Sequence, residues 1–207
     1  MMKKVSLMLL LSWIVSISLA AQSLYGSGIS PESALVRVIF AEPRTNMEIH
    51  IGSETFSTAE SRESALYHQI GPGMYFIEAG DDFLEIIPMS GKYYTLIFTA
   101  AGSFAFEDIE HEAPAKNQIY FYNCLEETAS LYVSETGDDL FSDINPGQSV
   151  QRAVNPLEID FALKSGSGKI LELGPLPMTR GGSTSVIVYG NNASPRSMVI
   201  TAGIKEP

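Results

Sequence analysis

The chain is poor in the residue types on which most extracellular and enzymatic chemistry depends. It has one cysteine, one tryptophan and three histidines in 207 residues, and 13 lysines plus arginines against 24 aspartates plus glutamates. A single cysteine, Cys124, forbids an intramolecular disulfide even in an oxidising compartment. Its neighbours Ile119, Phe121 and Leu125 mark it as a small core residue. His50, His68 and His111 are scattered, and no two have ligand spacing on one strand or turn, so no metal site is expected. The shortage of cations excludes nucleic acid as a partner, because phosphate binding rests on neutralisation by Lys and Arg. Helical periodicity is missing too: no segment holds a 3.6-residue repeat for three turns.

One long apolar run is present, at the N-terminus. Lys3 and Lys4 precede Val5 to Ala20, which ends in the small-residue triplet Ser18-Leu19-Ala20, the pattern of a cleavable signal peptide over residues 1–20. The run is shorter than the roughly 20 residues a membrane crossing needs, and it is interrupted by Ser6, Ser12, Ser16 and Ser18. Cleavage after Ala20 removes Trp13 and two lysines, and takes the formal net charge from −11 to about −13. No cysteine lies near that junction to accept a lipid, so the exported chain is expected to be soluble.

The remainder reads as all-β. Runs of Val, Ile, Tyr, Phe and Thr are separated by Gly, Pro, Asn and Asp, which supply the fixed or positive φ and the local side-chain bonds that turns require. Strands are predicted over Ala34–Ala41, Asn46–Ile51, Ala65–Ile70, Met74–Ala79, Phe83–Ile87 and Tyr93–Thr99. They resume over Gln118–Cys124, Ala129–Ser134, Ser149–Val154, Leu157–Leu163, Lys169–Leu173, Ser183–Tyr189 and Ser197–Thr201. Between Glu107 and Lys116, acidic residues and Pro114 displace the strand pattern, which places a boundary there. The expected architecture is two tandem antiparallel β-sandwich (Ig-like) domains, residues 21–110 and 111–207, of about seven strands each. Tyr93 to Phe98 and Thr184 to Tyr189 close the two halves in similar fashion, as a duplication would.

Catalytic spellings are incomplete. Asp108-Ile109-Glu110-His111 matches the Asp-x-x-His half of a serine triad, but the serine half is missing. Gly80-Asp81-Asp82 and Gly137-Asp138-Asp139 carry aspartate where a Gly-Asp-Ser nucleophile would stand, and no Gly-x-Ser-x-Gly elbow occurs. Asp108 to His111 reads as a solvated acidic linker, and the aspartate pairs read as turns rather than calcium loops. No catalytic residue, cofactor site or metal site is therefore expected, and the chain is not read as an enzyme. Arg37 breaks an otherwise apolar strand, Leu35 to Ile39, and needs either a carboxylate partner or an exposed edge. Tyr93 and Tyr94 are adjacent, so one ring faces each side of the sheet. Tyrosines so placed serve either strand packing or ligand contact.

Several segments occur in an order that resembles the AlgF family of alginate O-acetylation proteins. These are Leu24-Tyr25-Gly26, Ser33-Ala34-Leu35-Val36-Arg37-Val38, Gly71-Pro72-Gly73-Met74-Tyr75, Lys92-Tyr93-Tyr94-Thr95-Leu96, Val154-Asn155-Pro156, and Arg180-Gly181-Gly182 through Val188-Tyr189-Gly190. The middle of each half, the linker Phe106 to Lys116 and the stronger acidity depart from that family's pattern. The resemblance implies a periplasmic, non-catalytic accessory that docks membrane and periplasmic polysaccharide O-acetyltransferase components, with the polysaccharide itself as a further contact. Tyr25, Arg37, Tyr93, Tyr94 and Asn155 are the partner-binding residues expected from the resemblance and from strand position. Two alternatives to the adaptor stand beside it: a carbohydrate-binding β-sandwich module, and a secreted Ig-like structural protein.

Overall fold

The computed structural model describes residues 29–42, 48–58, 64–80, 82–111 and 113–204. The predicted leader and Tyr25 lie outside these. The described residues are all-β, in sixteen strands. The first eight are β1 (Ala34–Phe40), β2 (Glu48–Ile51), β3 (Glu54–Ser57), β4 (Ser64–Ile70), β5 (Tyr75–Ala79), β6 (Asp82–Ile86), β7 (Tyr93–Thr99) and β8 (Gly102–Asp108). The second eight are β9 (Asn117–Asn123), β10 (Ala129–Val133), β11 (Asp139–Ile144), β12 (Ser149–Val154), β13 (Asp160–Ser165), β14 (Ile170–Pro175), β15 (Ser183–Asn191) and β16 (Ser194–Ile204).

One eight-stranded sheet, ordered β12-β9-β15-β16-β4-β1-β7-β8, draws on both halves of the chain. Within it the halves repeat one topology. The opening strand (β1 or β9) pairs antiparallel with the fourth of its half (β4 or β12) and parallel with the seventh (β7 or β15). The seventh then forms a hairpin with the eighth. The intervening strands leave the sheet to cover its faces: hairpins β2–β3 and β5–β6 in the first half, and the sheet β11-β10-β13-β14 in the second. A parallel return needs such a crossover, and here the crossover is built of hairpins. The halves join where β16 runs parallel to β4, with Ala202 opposite Ala65 and Gly203 opposite Leu66.

The central sheet is mixed, so the wholly antiparallel expectation is corrected: β1–β7, β9–β15 and β4–β16 are parallel. Alternation and turn signals report which residues face a core but not strand direction. Runs buried on both faces, such as Ala34–Phe40 and Asn117–Asn123, are the trace that parallel pairing leaves in a sequence. Each half also holds eight strands rather than seven. Phe104 and Phe106 carry β8 into the segment whose acidic residues read as linker, and the short β3 and β11 have too few β-branched residues to stand out.

Three apolar clusters follow from these layers. Val36, Val38, Phe40, Leu96 and Phe98 on one face of β1 and β7 meet Ile49, Ile51, Phe56, Ile77 and Ile86 from the covering hairpins. Ile119, Phe121, Val186 and Val188 on β9 and β15 meet Leu131, Phe141, Phe161 and Leu163. The third cluster lies between the two halves of the central sheet: Ile39 and Ile97 from the first, Tyr120, Tyr122 and Ile187 from the second, with Phe106 and Ile200. Each fully buried side chain of this size contributes about 1.5–3 kcal/mol of transfer free energy. Gly190 ends the buried part of β15 at φ 98°, where an added Cβ would stand 2.9 Å from the Ser194 carbonyl oxygen. Only glycine relieves both constraints.

Cys124 follows β9 inside the shared cluster, 1% exposed, its N–H donating to the Val188 carbonyl at 2.8 Å. Burial pushes its thiol well above the ordinary cysteine range. The native protein is therefore expected to resist a disulfide-exchange reagent at pH 8, and to react fully once unfolded in urea. Rapid labelling of the folded chain would show that Cys124 is accessible.

Candidate functional site

Arg37 projects from β1 into the space between the two halves of the central sheet and is fully buried. Its Nε donates to Thr95 Oγ1 at 2.7 Å, and its Nη2 donates to Tyr122 Oη and Ser185 Oγ, each at 2.8 Å. Thr95 lies on β7, Tyr122 on β9 and Ser185 on β15, so one guanidinium ties strands of both halves. The Tyr67 ring lies 4.7 Å from the guanidinium carbon, and the Tyr120 and Tyr122 rings lie at 5.7 and 5.8 Å. Asp108, at the end of β8, completes the network: it accepts from Tyr67 Oη at 2.7 Å, from Tyr122 Oη at 2.6 Å and from Thr95 Oγ1. Burial pushes the Tyr67 and Tyr122 hydroxyls well above their ordinary pKa, which keeps both neutral as donors. Burial alone would lower the guanidinium's pKa, but Tyr122, Tyr67 and Asp108 around it hold it above its ordinary value.

Asp108 thus overturns the solvated-linker reading, since it is 4% exposed and accepts hydrogen bonds from three hydroxyls. The sequence signal for this was the Phe104/Phe106 alternation, which continues to Asp108 on the same strand.

On the solvent side of this network lies a pocket of about 370 Å³ lined by Tyr67, Tyr93, Glu110, His111, Tyr120 and Ser183, with Gly181, Ala202 and Gly203. It opens at the β4–β16 seam, beside the segment that links β8 to β9. Tyr93 meets the Tyr67 ring edge-on at 5.4 Å and reaches Glu110 Oε1 at 3.4 Å. Burial, and then the Glu110 charge, raise its hydroxyl pKa. Tyr120 Oη donates to the Ile109 carbonyl at 2.7 Å, which fixes the linker against β9. His111 Nε2 is buried and has no hydrogen-bond partner among the described residues.

A third feature is the outward face of hairpin β5–β6. Met74, Phe76, Phe83, Ile87 and the nearby Met89 are each more than half exposed. Phe76 and Phe83 stack at 5.7 Å with an interplanar angle of 23°, and the exposed Glu78 and Glu85 stand opposite them in the ladder. The equivalent hairpin of the second half, β13–β14, exposes Asp160, Lys164, Ile170 and Glu172, with no aromatic pair among them. The fold therefore does not require phenylalanine at these positions.

The expected partner-binding residues are dispersed. Arg37 has no exposed surface and cannot touch a partner. Tyr94 packs against the first-half cluster and accepts the Met89 N–H at 3.3 Å. Tyr93 lines the pocket, and Asn155 is exposed on the segment between β12 and β13. In the sequence Glu110 and His111 read as solvated linker, and Tyr67 and Tyr120 are not assigned to a site, because the four come together only through strand pairings distant along the chain.

Fold and site together define a class: an all-β protein whose two halves repeat one topology around a buried arginine–tyrosine–aspartate network. Comparison with known proteins narrows this further. The family model described as "Alginate O-acetyl transferase AlgF" matches residues 6–185, and the chain belongs to the AlgF family. The alginate biosynthesis protein AlgF of Pseudomonas aeruginosa is 25% identical over 173 residues, covering 82% of this chain and 78% of that protein. The namesake from Pseudomonas fluorescens is 24% identical over 189 residues, covering 87% and 84%. A solved C-terminal domain of AlgF from P. aeruginosa covers 42% of this chain and 98% of its own, at 23% identity and a TM-score of 0.39.

Proposed function

We propose that the protein is a periplasmic, non-catalytic docking component in the O-acetylation of an exopolysaccharide, and that it holds acetyl-transfer proteins through the aromatic face of hairpin β5–β6. The observation that carries this reading is the stacked, solvent-exposed Phe76–Phe83 pair. Apolar surface of this kind, rimmed by polar residues, marks interaction sites. Glu78, Glu85 and a net charge of −11 favour a partner that presents apolar side chains among basic ones. Family membership supports the pathway. The buried network supports the non-catalytic part: the Thr95 and Tyr122 hydroxyls are committed to Arg37 and Asp108, and that of Tyr67 to Asp108, where no acyl donor reaches them. Asp108, the residue a serine triad would need to orient a histidine, is instead occupied by hydroxyl donors.

Deleting the gene in its native host, and measuring ester-linked acetyl per sugar alongside polymer yield, tests the assignment. Acetylation is expected to fall while polymer is still secreted. Unchanged acetylation would overturn it.

A further inference from the structure

The pocket at the β4–β16 seam has a chemistry of its own, separate from the hairpin. Its volume of about 370 Å³ lies in the range of small-molecule sites, roughly 300–1,000 Å³. The half-buried Tyr93 ring supplies an apolar wall, and the nearly buried Tyr67 and Tyr120 close the floor with their hydroxyls already engaged: that of Tyr67 with Asp108 and that of Tyr120 with the Ile109 carbonyl, while that of Tyr93 reaches Glu110. The polar groups that remain are the Glu110 carboxylate, Ser183, and the buried Nε2 of His111, which has no hydrogen-bond partner among the described residues. A buried nitrogen left unpaired is costly unless something supplied from outside bonds to it.

Charge then selects among ligands. An anionic ligand would meet Glu110 directly. An ammonium ligand, the usual guest of a tyrosine cage, would compete with a cation already in place, since the Arg37 guanidinium lies over Tyr67 and Tyr120. What fits is a neutral ring with apolar C–H faces and hydroxyls at its edge. The C–H face lies on the Tyr93 ring, where the negative π surface meets the weakly positive hydrogens. One hydroxyl donates to Glu110, and another bonds His111 Nε2 on a turn of the imidazole that brings this buried nitrogen to the pocket surface. We infer that this pocket binds a neutral pyranose unit of a glycan and rejects the corresponding uronate. The inference stands apart from the docking reading, because it concerns a binary complex in which no partner protein takes part.

The test is a titration of the purified, isotope-labelled full chain with methyl mannopyranoside and methyl glucopyranoside, up to several tens of millimolar, followed by backbone amide shifts. Sodium mannuronate and tetramethylammonium chloride serve as the anionic and cationic probes. At least one neutral glycoside is expected to shift the amides of Tyr93, Glu110, His111 and Ser183, while the two charged probes leave them in place. His111→Ala is expected to weaken the neutral sugar by about tenfold, the loss of one hydrogen bond. Glu110→Gln, which keeps the shape and removes the charge, is expected to admit mannuronate. If neither glycoside moves these amides, or if mannuronate or tetramethylammonium moves them in the wild-type protein as far as the neutral sugars do, the inference is wrong.

Discussion

Arg37→Met is expected to cost about 3–5 kcal/mol of folding stability, the range for removing one partner of a buried charge network. The guanidinium is enclosed on every side, and methionine can fill much of its volume but cannot donate to Thr95, Tyr122 or Ser185. It also leaves Asp108 in the protein interior with three hydroxyl donors but no cation nearby. A second variant separates the loss of charge balance from the loss of packing. Arg37→Met combined with Asp108→Asn removes both charges, and is expected to recover a large part of the loss, because replacing a whole buried pair costs far less than halving it. Urea unfolding monitored by tyrosine emission and by circular dichroism gives both values. A loss under about 1 kcal/mol for Arg37→Met would mean that water or rearranged side chains reach Asp108.

Because Arg37 bonds β7 of the first half and β9 and β15 of the second, its removal should also loosen the contact between the halves. The shared apolar cluster is built from those same strands. The amides of Tyr122 and Ser185 are therefore expected to lose hydrogen-exchange protection together with that of Thr95, rather than independently.

Much of the strand pattern was legible because it rests on short-range signals. Ala34–Phe40 and Ser183–Asn191 are dense in β-branched residues, the first set off by Pro31 and Pro43 and the second by Gly181-Gly182. The all-β class follows from these alone, and so does the placement of Tyr93 and Tyr94 on opposite faces. The pairing of distant strands was not legible. Nothing local distinguishes a strand that returns parallel from one that returns antiparallel, so the joining of β16 to β4 could not be read from either segment. The same limit hid the pocket: Tyr67, Tyr120 and Ser183 are unremarkable one by one, and become a site only when β4, β9 and β15 are set in register. Arg37 was legible as an anomaly in an apolar strand, and Asp108 was misread because its neighbours Glu107 and Glu110 are acidic and exposed. In an acidic chain, composition does not tell a buried carboxylate from a solvated one.

Phe76→Ala with Phe83→Ala is expected to weaken capture of an acetyl-transfer partner by at least about 30-fold, since a single aromatic anchor at the centre of an interface is worth roughly 2–4 kcal/mol. The same double variant should cost the folded chain no more than about 1.5 kcal/mol, because both rings are mostly exposed and lose chiefly their contact with each other. That separation of effects distinguishes a docking face from core packing: a variant of Ile77, which points inward from the same strand, would lose stability first. Charge reversal at Glu78 and Glu85 supplies an independent check. Lysine at both positions is expected to slow association and to invert its dependence on salt, with little change in the dissociation rate. The partner is measured by pull-down with the host's periplasmic acetyl-transfer proteins, and by acetyl content of the polymer in a strain carrying the variant. If the double phenylalanine variant captures partners as the wild type does, the docking face lies elsewhere on the molecule; if capture is lost while unfolding is unchanged, the aromatic pair on β5–β6 is the anchor.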